Sequence, residues 1–249
     1  MKKIKLAIFF LLATISVFLI YKSLNSNSKK INYIAIGDSL AEGMNSYGVI
    51  SYGYADYLAG YLEEKGRLMF YTKAFAKSGY TTKNVLDDIE NNKKVIVNNQ
   101  TISIKEALRE SDLVTISIGA NDFMRGISIT NITSVISNIN DAKTKVDTIA
   151  IEVEKVVKEI KKYAKEDIIL ISYYNPLPRL IPVRKQINEI VEYSNSIYKE
   201  ICIKEEITCL DIFEKFDKAG SDYLPNTMDI HPNNKGYEKI SDELIKLIK

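Results

Sequence analysis

The chain has 249 residues, with 34 basic and 32 acidic side chains, one histidine, two cysteines and no tryptophan; that length holds one α/β domain with a sizeable core and an appendage. The net charge of +2 divides unevenly: residues 1–30 carry six lysines and no acid, which leaves 28 basic against 32 acidic side chains, a net of −4, in residues 31–249. The larger part therefore lacks the basic footprint of a nucleic-acid binder.

The N-terminal stretch Leu6–Tyr21 is uncharged and mostly apolar, and it follows Lys2, Lys3 and Lys5. As a helix it spans about 24 Å, a little under the roughly 30 Å of a bilayer's hydrocarbon core, and Tyr21 and Lys22 can reach the interface. It reads as an uncleaved signal anchor or as a cleaved signal peptide. Cleavage wants a small-residue site of A-x-A type, which Ser26-Asn27-Ser28 matches poorly. The expected organisation is a cytoplasmic tip and transmembrane anchor over residues 1–21, a linker over 22–31 and a globular domain over 32–249. The domain is expected outside the cytoplasm in a single-pass arrangement, or secreted if the segment is removed. The expected partners are thus a membrane, through the N-terminal helix, and no nucleic acid. No oligomeric assignment follows from the sequence.

Beyond the linker, apolar runs alternate with helical patterns. The expected strands are Asn32–Ile36, Leu68–Phe75, Leu113–Ile118, Ile168–Tyr173 and Thr208–Ile212. Three of them are almost continuously apolar, as strands buried on both faces of a parallel sheet are. Helices are expected near Tyr54–Lys65, Thr82–Ile89, Ile104–Glu110, Ser134–Ala164, Val183–Glu206 and Asn234–Ile248. In the longest, Val135, Ile139, Ala142, Val146, Ile149, Val153, Val156, Ile160 and Ala164 recur at three and four, the mark of an amphipathic helix over a sheet. Val95–Ile104, broken by Asn98-Asn99-Gln100, reads as a small hairpin or a loop. Cys202 and Cys209 flank one short connection, where a disulfide and two buried thiols are equally simple. The two cysteines and one histidine match no zinc spacing, so no metal or cofactor is expected.

Alternating strands and helices imply a three-layer α/β/α sandwich around a mostly parallel five-stranded sheet. Ligands bind such sheets beyond the carboxyl ends of the strands. Ser39 follows the first expected strand, Gly79 the second and Asn121 the third, while His231 precedes the last helix. All four can meet at one edge. Individually each has an ordinary reading: Asp38-Ser39 as a helix cap, Ser78-Gly79 and Gly119-Ala120-Asn121-Asp122 as turns, Asp229-Ile230-His231-Pro232-Asn233 as the cap of the last helix. Together they pair a hydroxyl with the only imidazole available to activate it.

These four runs, Gly37-Asp38-Ser39-Leu40, Lys77-Ser78-Gly79-Tyr80-Thr81, Gly119-Ala120-Asn121-Asp122 and Asp229-Ile230-His231-Pro232-Asn233, resemble in order and placement the four blocks of the SGNH (GDSL) hydrolases. The resemblance covers about residues 32–249 and implies a flavodoxin-like fold and serine esterase or acylhydrolase activity. It implies Ser39 as nucleophile, His231 as base, and an oxyanion hole from the Ser39 and Gly79 backbone N–H groups and the Asn121 amide. Glycine at 79 is expected to let backbone approach the substrate closely. One departure stands out. The family's acid often lies three residues before the histidine, where this chain has Met228. Asp229, two residues before, is the expected acid, with Asp222 in reserve and Asp38 read as structural.

The Gly-x-Ser-x-Gly elbow of α/β-hydrolase lipases is absent from the sequence. The expected function is a membrane-anchored, extracytoplasmic esterase of lipase, lysophospholipase or thioesterase type acting on small-molecule, lipid or glycan esters. A carbohydrate O-acetyl esterase acting on cell-wall glycan is the alternative, and a catalytically silent membrane-anchored binding module a second. The apolar, proline-stiffened loop Tyr173–Pro182 is placed to wall an acyl pocket or to pack on a neighbouring helix.

Overall fold

In the computed structural model, which describes residues 29–125, 138–178 and 181–248, seven strands occur: β1 (Ile31–Gly37), β2 (Leu68–Ala76), β3 (Lys94–Val97), β4 (Gln100–Ser103), β5 (Leu113–Ser117), β6 (Asp167–Ile171) and β7 (Thr208–Leu210). Five form one wholly parallel sheet in the order β2-β1-β5-β6-β7. The expected segment Leu6–Tyr21, the start of the helix expected from Ser134, and Arg179-Leu180 of the proline loop lie outside the described residues. Among the described residues, no helix is long and apolar enough to cross a membrane.

The helices are α1 (Ser39–Glu42), α2 (Tyr54–Glu64), α3 (Thr82–Glu90), α4 (Ile104–Arg109), α5 (Ala120–Met124), α6 (Ile139–Lys161), α7 (Arg184–Lys204), α8 (Phe213–Ala219) and α9 (Asn234–Ile245). They cover the sheet on both faces, and the strands' alternation divides the core between them. Tyr33 and Ala35 of β1, with Ile169 and Ile171 of β6, pack against Leu58, Leu62, Phe216 and Tyr237 of α2, α8 and α9. Ile34 and Ile36, with Ile168 and Leu170, face Ile89, Leu108, Val153 and Ile160 of α3, α4 and α6. A period of two inside continuous apolar runs is what a sheet buried on both faces requires.

Three local outcomes differ from or complete the sequence reading. Val95–Ile104 is a hairpin, β3 paired antiparallel with β4, and its turn places Asn98 and Asn99 at φ of 51° and 63°. Asparagine tolerates that region and suits such a turn. Cys202, near the end of α7, and Cys209, in β7, form a disulfide with their Cα atoms 5.8 Å apart. Helix α8 went unread because only Phe213 and Phe216 of its seven residues are buried, too few to set a period.

Three expected strands stop short at the carboxyl edge, ending at Ser117, Ile171 and Leu210, and two of them show why. The Ile118 carbonyl leaves the ladder to accept a hydrogen bond from the Tyr198 hydroxyl at 2.8 Å. The Tyr173 backbone is taken by the Asn195 side chain, which accepts from its N–H at 3.2 Å and donates to its C=O at 2.8 Å. Backbone groups peeled from the sheet must be satisfied otherwise when buried. Here α7 supplies both partners.

Candidate active site

The turn from β1 into α1 fixes Ser39. A side chain at Gly37 (φ 134°) would place its Cβ 1.9 Å from the Ser117 carbonyl oxygen, so only glycine fits between β1 and β5. Asp38, next along, is almost fully buried and caps α1, its Oδ1 accepting from the Leu40 N–H at 3.0 Å. The same carboxylate accepts from Ser117 Oγ at 2.9 Å and from the Tyr173 hydroxyl at 2.8 Å. Burial pushes the Asp38 carboxyl up to about 6, and these three donors hold it from rising further. The aspartate thus points away from solvent and anchors the turn, which leaves the Ser39 side chain on the other side.

Ser39 Oγ lies 2.8 Å from His231 Nε2, and His231 Nδ1 lies 2.7 Å from Asp229 Oδ1. That oxygen also accepts the backbone N–H of His231 at 2.7 Å. The two-residue spacing makes this possible, because an aspartate side chain reaches the amide two positions on as an Asx turn. The Tyr174 hydroxyl donates to the Ile230 carbonyl at 2.8 Å and holds the loop from beneath. Met228 is exposed. Asp222 is exposed as well, and only its carbonyl joins the local network, accepting from Asn233 Nδ2 at 2.9 Å. Asn233 is the residue that caps α9.

The second and third blocks are bound to each other. Asn121 Nδ2 donates to the Tyr80 carbonyl at 2.9 Å, leaving one amide N–H for another acceptor. The neighbouring Asp122 carboxylate accepts from the N–H of Thr82 at 3.0 Å and from its hydroxyl at 2.6 Å. Ser78 donates from its N–H to the Glu42 carboxylate at 2.6 Å, which ties the Gly79 loop to α1. Gly79 itself has φ 81° and open space where a Cβ would project. With no protein atom near that position, the positive φ is what demands the glycine. Gly119 (φ 117°) is the crowded one, since its Cβ would fall 2.2 Å from the Tyr198 hydroxyl.

Sequence reasoning missed Tyr173, Asn195, Ser117 and Glu42 as parts of this network. Tyr173 is the most connected of them, since its hydroxyl donates to Asp38 and accepts the Ala120 N–H at 3.3 Å. Its position at the end of β6's apolar run was the only available signal. Among the described residues, no group of three or more His, Cys, Asp or Glu side chains is arranged as metal ligands are.

Ser39, Asn121 and His231 open onto one cavity of about 200 Å³. Its walls are apolar: Val146 and Ile149 of α6, Ile187 and Ile190 of α7, Phe123, and Leu177 from the proline loop. Val146, Ile187 and Ile190 also form a small cluster separate from the two main cores.

An α/β/α sandwich that brings serine, imidazole and carboxylate together at the carboxyl ends of its strands has the architecture of a serine ester hydrolase. The chain belongs to the GDSL-like Lipase/Acylhydrolase family, which matches over residues 35–239, and is an ester-hydrolysing serine hydrolase. It is 23% identical to the spore germination lipase LipC of Bacillus licheniformis, over 86% of this chain and 94% of that protein. In fold it is similar to an extracellular lipase from Streptomyces rimosus (TM-score 0.66, 19% identity, covering 89% of this chain and 100% of that one). It is also similar to Axe2, an acetylxylan esterase from Geobacillus stearothermophilus (TM-score 0.61, 19% identity, covering 88% and 94%).

Proposed function

We propose that this protein is a membrane-anchored, extracytoplasmic acylhydrolase that cleaves carboxylic esters with acyl chains longer than acetyl. The cavity carries this reading. It runs from Ser39 between α6 and α7 with apolar walls, which suit a hydrocarbon chain.

Ser39 Oγ attacks the ester carbonyl while His231 Nε2 takes its proton. The resulting oxyanion is held by the Ser39 and Gly79 N–H groups and the free Asn121 N–H, donors fixed before charge develops. His231 then protonates the departing alcohol, leaving an acyl-serine. A water, deprotonated by His231, attacks that ester; Ser39 leaves with the proton and the fatty acid is released. Asp229 holds His231 in the tautomer with its proton on Nδ1 and stabilises the imidazolium that forms.

The anchoring part of the proposal draws on the apolar stretch Leu6–Tyr21 behind three lysines. The disulfide Cys202–Cys209 fits an oxidising compartment outside the cytoplasm. A carbohydrate O-acetyl esterase is the alternative, suggested by the acetylxylan esterase neighbour; an acetyl group leaves most of the cavity unfilled.

Rates on p-nitrophenyl esters from acetate to palmitate, beside lysophospholipid and acetylated xylan, decide between them. Each methylene lodged in the apolar cavity should raise kcat/KM by up to about fourfold until the cavity is full. A maximum at acetate, with acetylated xylan preferred to lysophospholipid, overturns the proposal in favour of the O-acetyl esterase.

A further inference from the structure

Residues 6–21 and 126–140 are free of Asp, Glu, Lys and Arg, and so are residues 43–55, which run from the end of α1 into the first turn of α2. Residues 43–55 also put apolar side chains in water: Tyr47 is 78% exposed, Val49 57% and Tyr52 63%. The segment is built, not loose. Met44 and Ile50 pair as an antiparallel bridge, the Asn45 N–H donates to the Val49 carbonyl at 2.9 Å, and Asn45 Oδ1 accepts the N–H groups of Tyr47 and Val49 at 2.9 and 3.2 Å.

This small hairpin is tied to the catalytic loop. Asn226 Nδ2 donates to the Ser46 carbonyl at 2.7 Å, and Asn226 Oδ1 accepts the Met228 N–H at 3.0 Å. Met228, 72% exposed, lines the cavity mouth beside Asp229. Residues 223–228 are likewise free of charge. Among the other described residues, several exposed large apolar side chains stand on regular elements, as Met69 does on β2, Ile96 on β3 and Ile203 on α7, while Ile181 and Leu247 lie just outside helices. Single exposed apolar residues are ordinary, whereas a grouped set beside an active-site mouth marks a surface that something covers.

We propose that the hairpin Met44–Ile50, with Tyr52 and Met228, is a neutral docking rim that seats the cavity mouth on a zwitterionic lipid surface. The inference rests on the acyl-ester reading and names the form in which the substrate is met. Aliphatic Val49 and Met228 enter hydrocarbon, while the tyrosines suit the headgroup level, where an apolar ring and a polar tip are both satisfied. The rigid hairpin loses little conformational freedom on docking. The absence of charge favours uncharged or zwitterionic lipid over an anionic surface, and over a glycan, whose hydroxyls call for a denser set of polar groups. A chain entering the cavity then passes from lipid to protein without crossing water.

The chain has no tryptophan, so Tyr47→Trp creates a single reporter, and Met69→Trp, at the opposite end of the sheet, its control. Both are made in the full chain carrying Ser39→Ala and mixed with phosphatidylcholine vesicles, with and without bromine-labelled acyl chains. The expected result is a blue shift and bromine quenching at position 47, insensitive to salt, and neither at position 69. In the active enzyme, Tyr47→Ser with Val49→Ser should lower hydrolysis of a vesicle-borne acyl ester by about tenfold or more, with soluble p-nitrophenyl butyrate kept within about a factor of two. Position 47 remaining in water, or responding only to acetylated xylan or to protein concentration, overturns the docking rim. If soluble medium-chain esters are still preferred in that case, the acyl-ester reading stands alone.

Discussion

One oxygen of Asp229 meets two nitrogens of His231, the ring Nδ1 and the backbone N–H, each at 2.7 Å. The acid therefore sets both the ring's tautomer and the turn of the chain that presents it. Spacing of two residues is what joins those tasks in one atom. Asp229→Asn should lower kcat by about 10³–10⁴, because an amide N–H turned toward Nδ1 favours the tautomer that cannot take a proton from Ser39. Asp222→Asn should be nearly silent. Steady-state kinetics of the two variants checks the pair, and the reverse ranking would return the acid's role to Asp222.

The contact of 2.8 Å between Ser39 Oγ and His231 Nε2 leads to a covalent test. A fluorophosphonate should label Ser39 alone, as read by peptide mass spectrometry. Ser39→Ala and His231→Ala should each reduce turnover by about 10⁴ or more, as when an activated serine loses either member. Labelling at another residue, or near-normal turnover in either variant, would sink the assignment.

Asn121 spends one amide hydrogen on the Tyr80 carbonyl, which fixes the direction of the other. Asn121→Ala should lower kcat by roughly 10²–10³ with little change in KM, because the second donor acts on charge that exists only in the transition state. A rise in KM at constant kcat would make Asn121 a ground-state contact instead.

Asp38 gives a signature in stability. Its carboxyl titrates at about 6 in the folded protein against an ordinary 3.8, owing to burial. Between those values the folded state keeps a proton that the unfolded state has released, so stability falls as pH rises through the window. The loss attributable to Asp38 between about pH 4 and pH 7 is on the order of 3 kcal/mol. Asp38→Asn should remove this slope, so urea unfolding should show the variant gaining on the wild type as pH rises. Parallel curves for the two proteins would count against the buried-carboxylate account.

Much of the fold was legible because its physics is local. Runs such as Ile34–Ile36 and Ile168–Ile171 are apolar on both faces of the sheet, and the three-and-four spacing of Val146 to Ile160 can belong only to a helix with one buried side. Ser39, Gly79, Asn121 and His231 were singled out because their four runs resemble a family's blocks and because topology places strand ends at one edge; Ser39, Asn121 and His231 do line one cavity. Tyr173 and Asn195 were not, since their roles come from a hydrogen bond between a strand end and a helix 22 residues on, and no spacing rule announces it. The cavity was half legible. The proline loop suggested one wall through Leu177, but Val146, Ile187 and Ile190 repeat the same pattern as ordinary core. Apolar side chains facing a void and facing a neighbour look alike in a sequence.

Ser39 and His231 touch across 192 positions of chain, and that separation bears on when the protein becomes dangerous. A ribosome making the chain at roughly 5–20 residues per second finishes Ser39 some ten seconds or more before His231. Until α9 docks on α2 and brings the imidazole with it, the serine is an ordinary alcohol in a partly built sheet. An ester hydrolase assembled in this order is inert while it is still being made, and needs no separate inhibitor during synthesis.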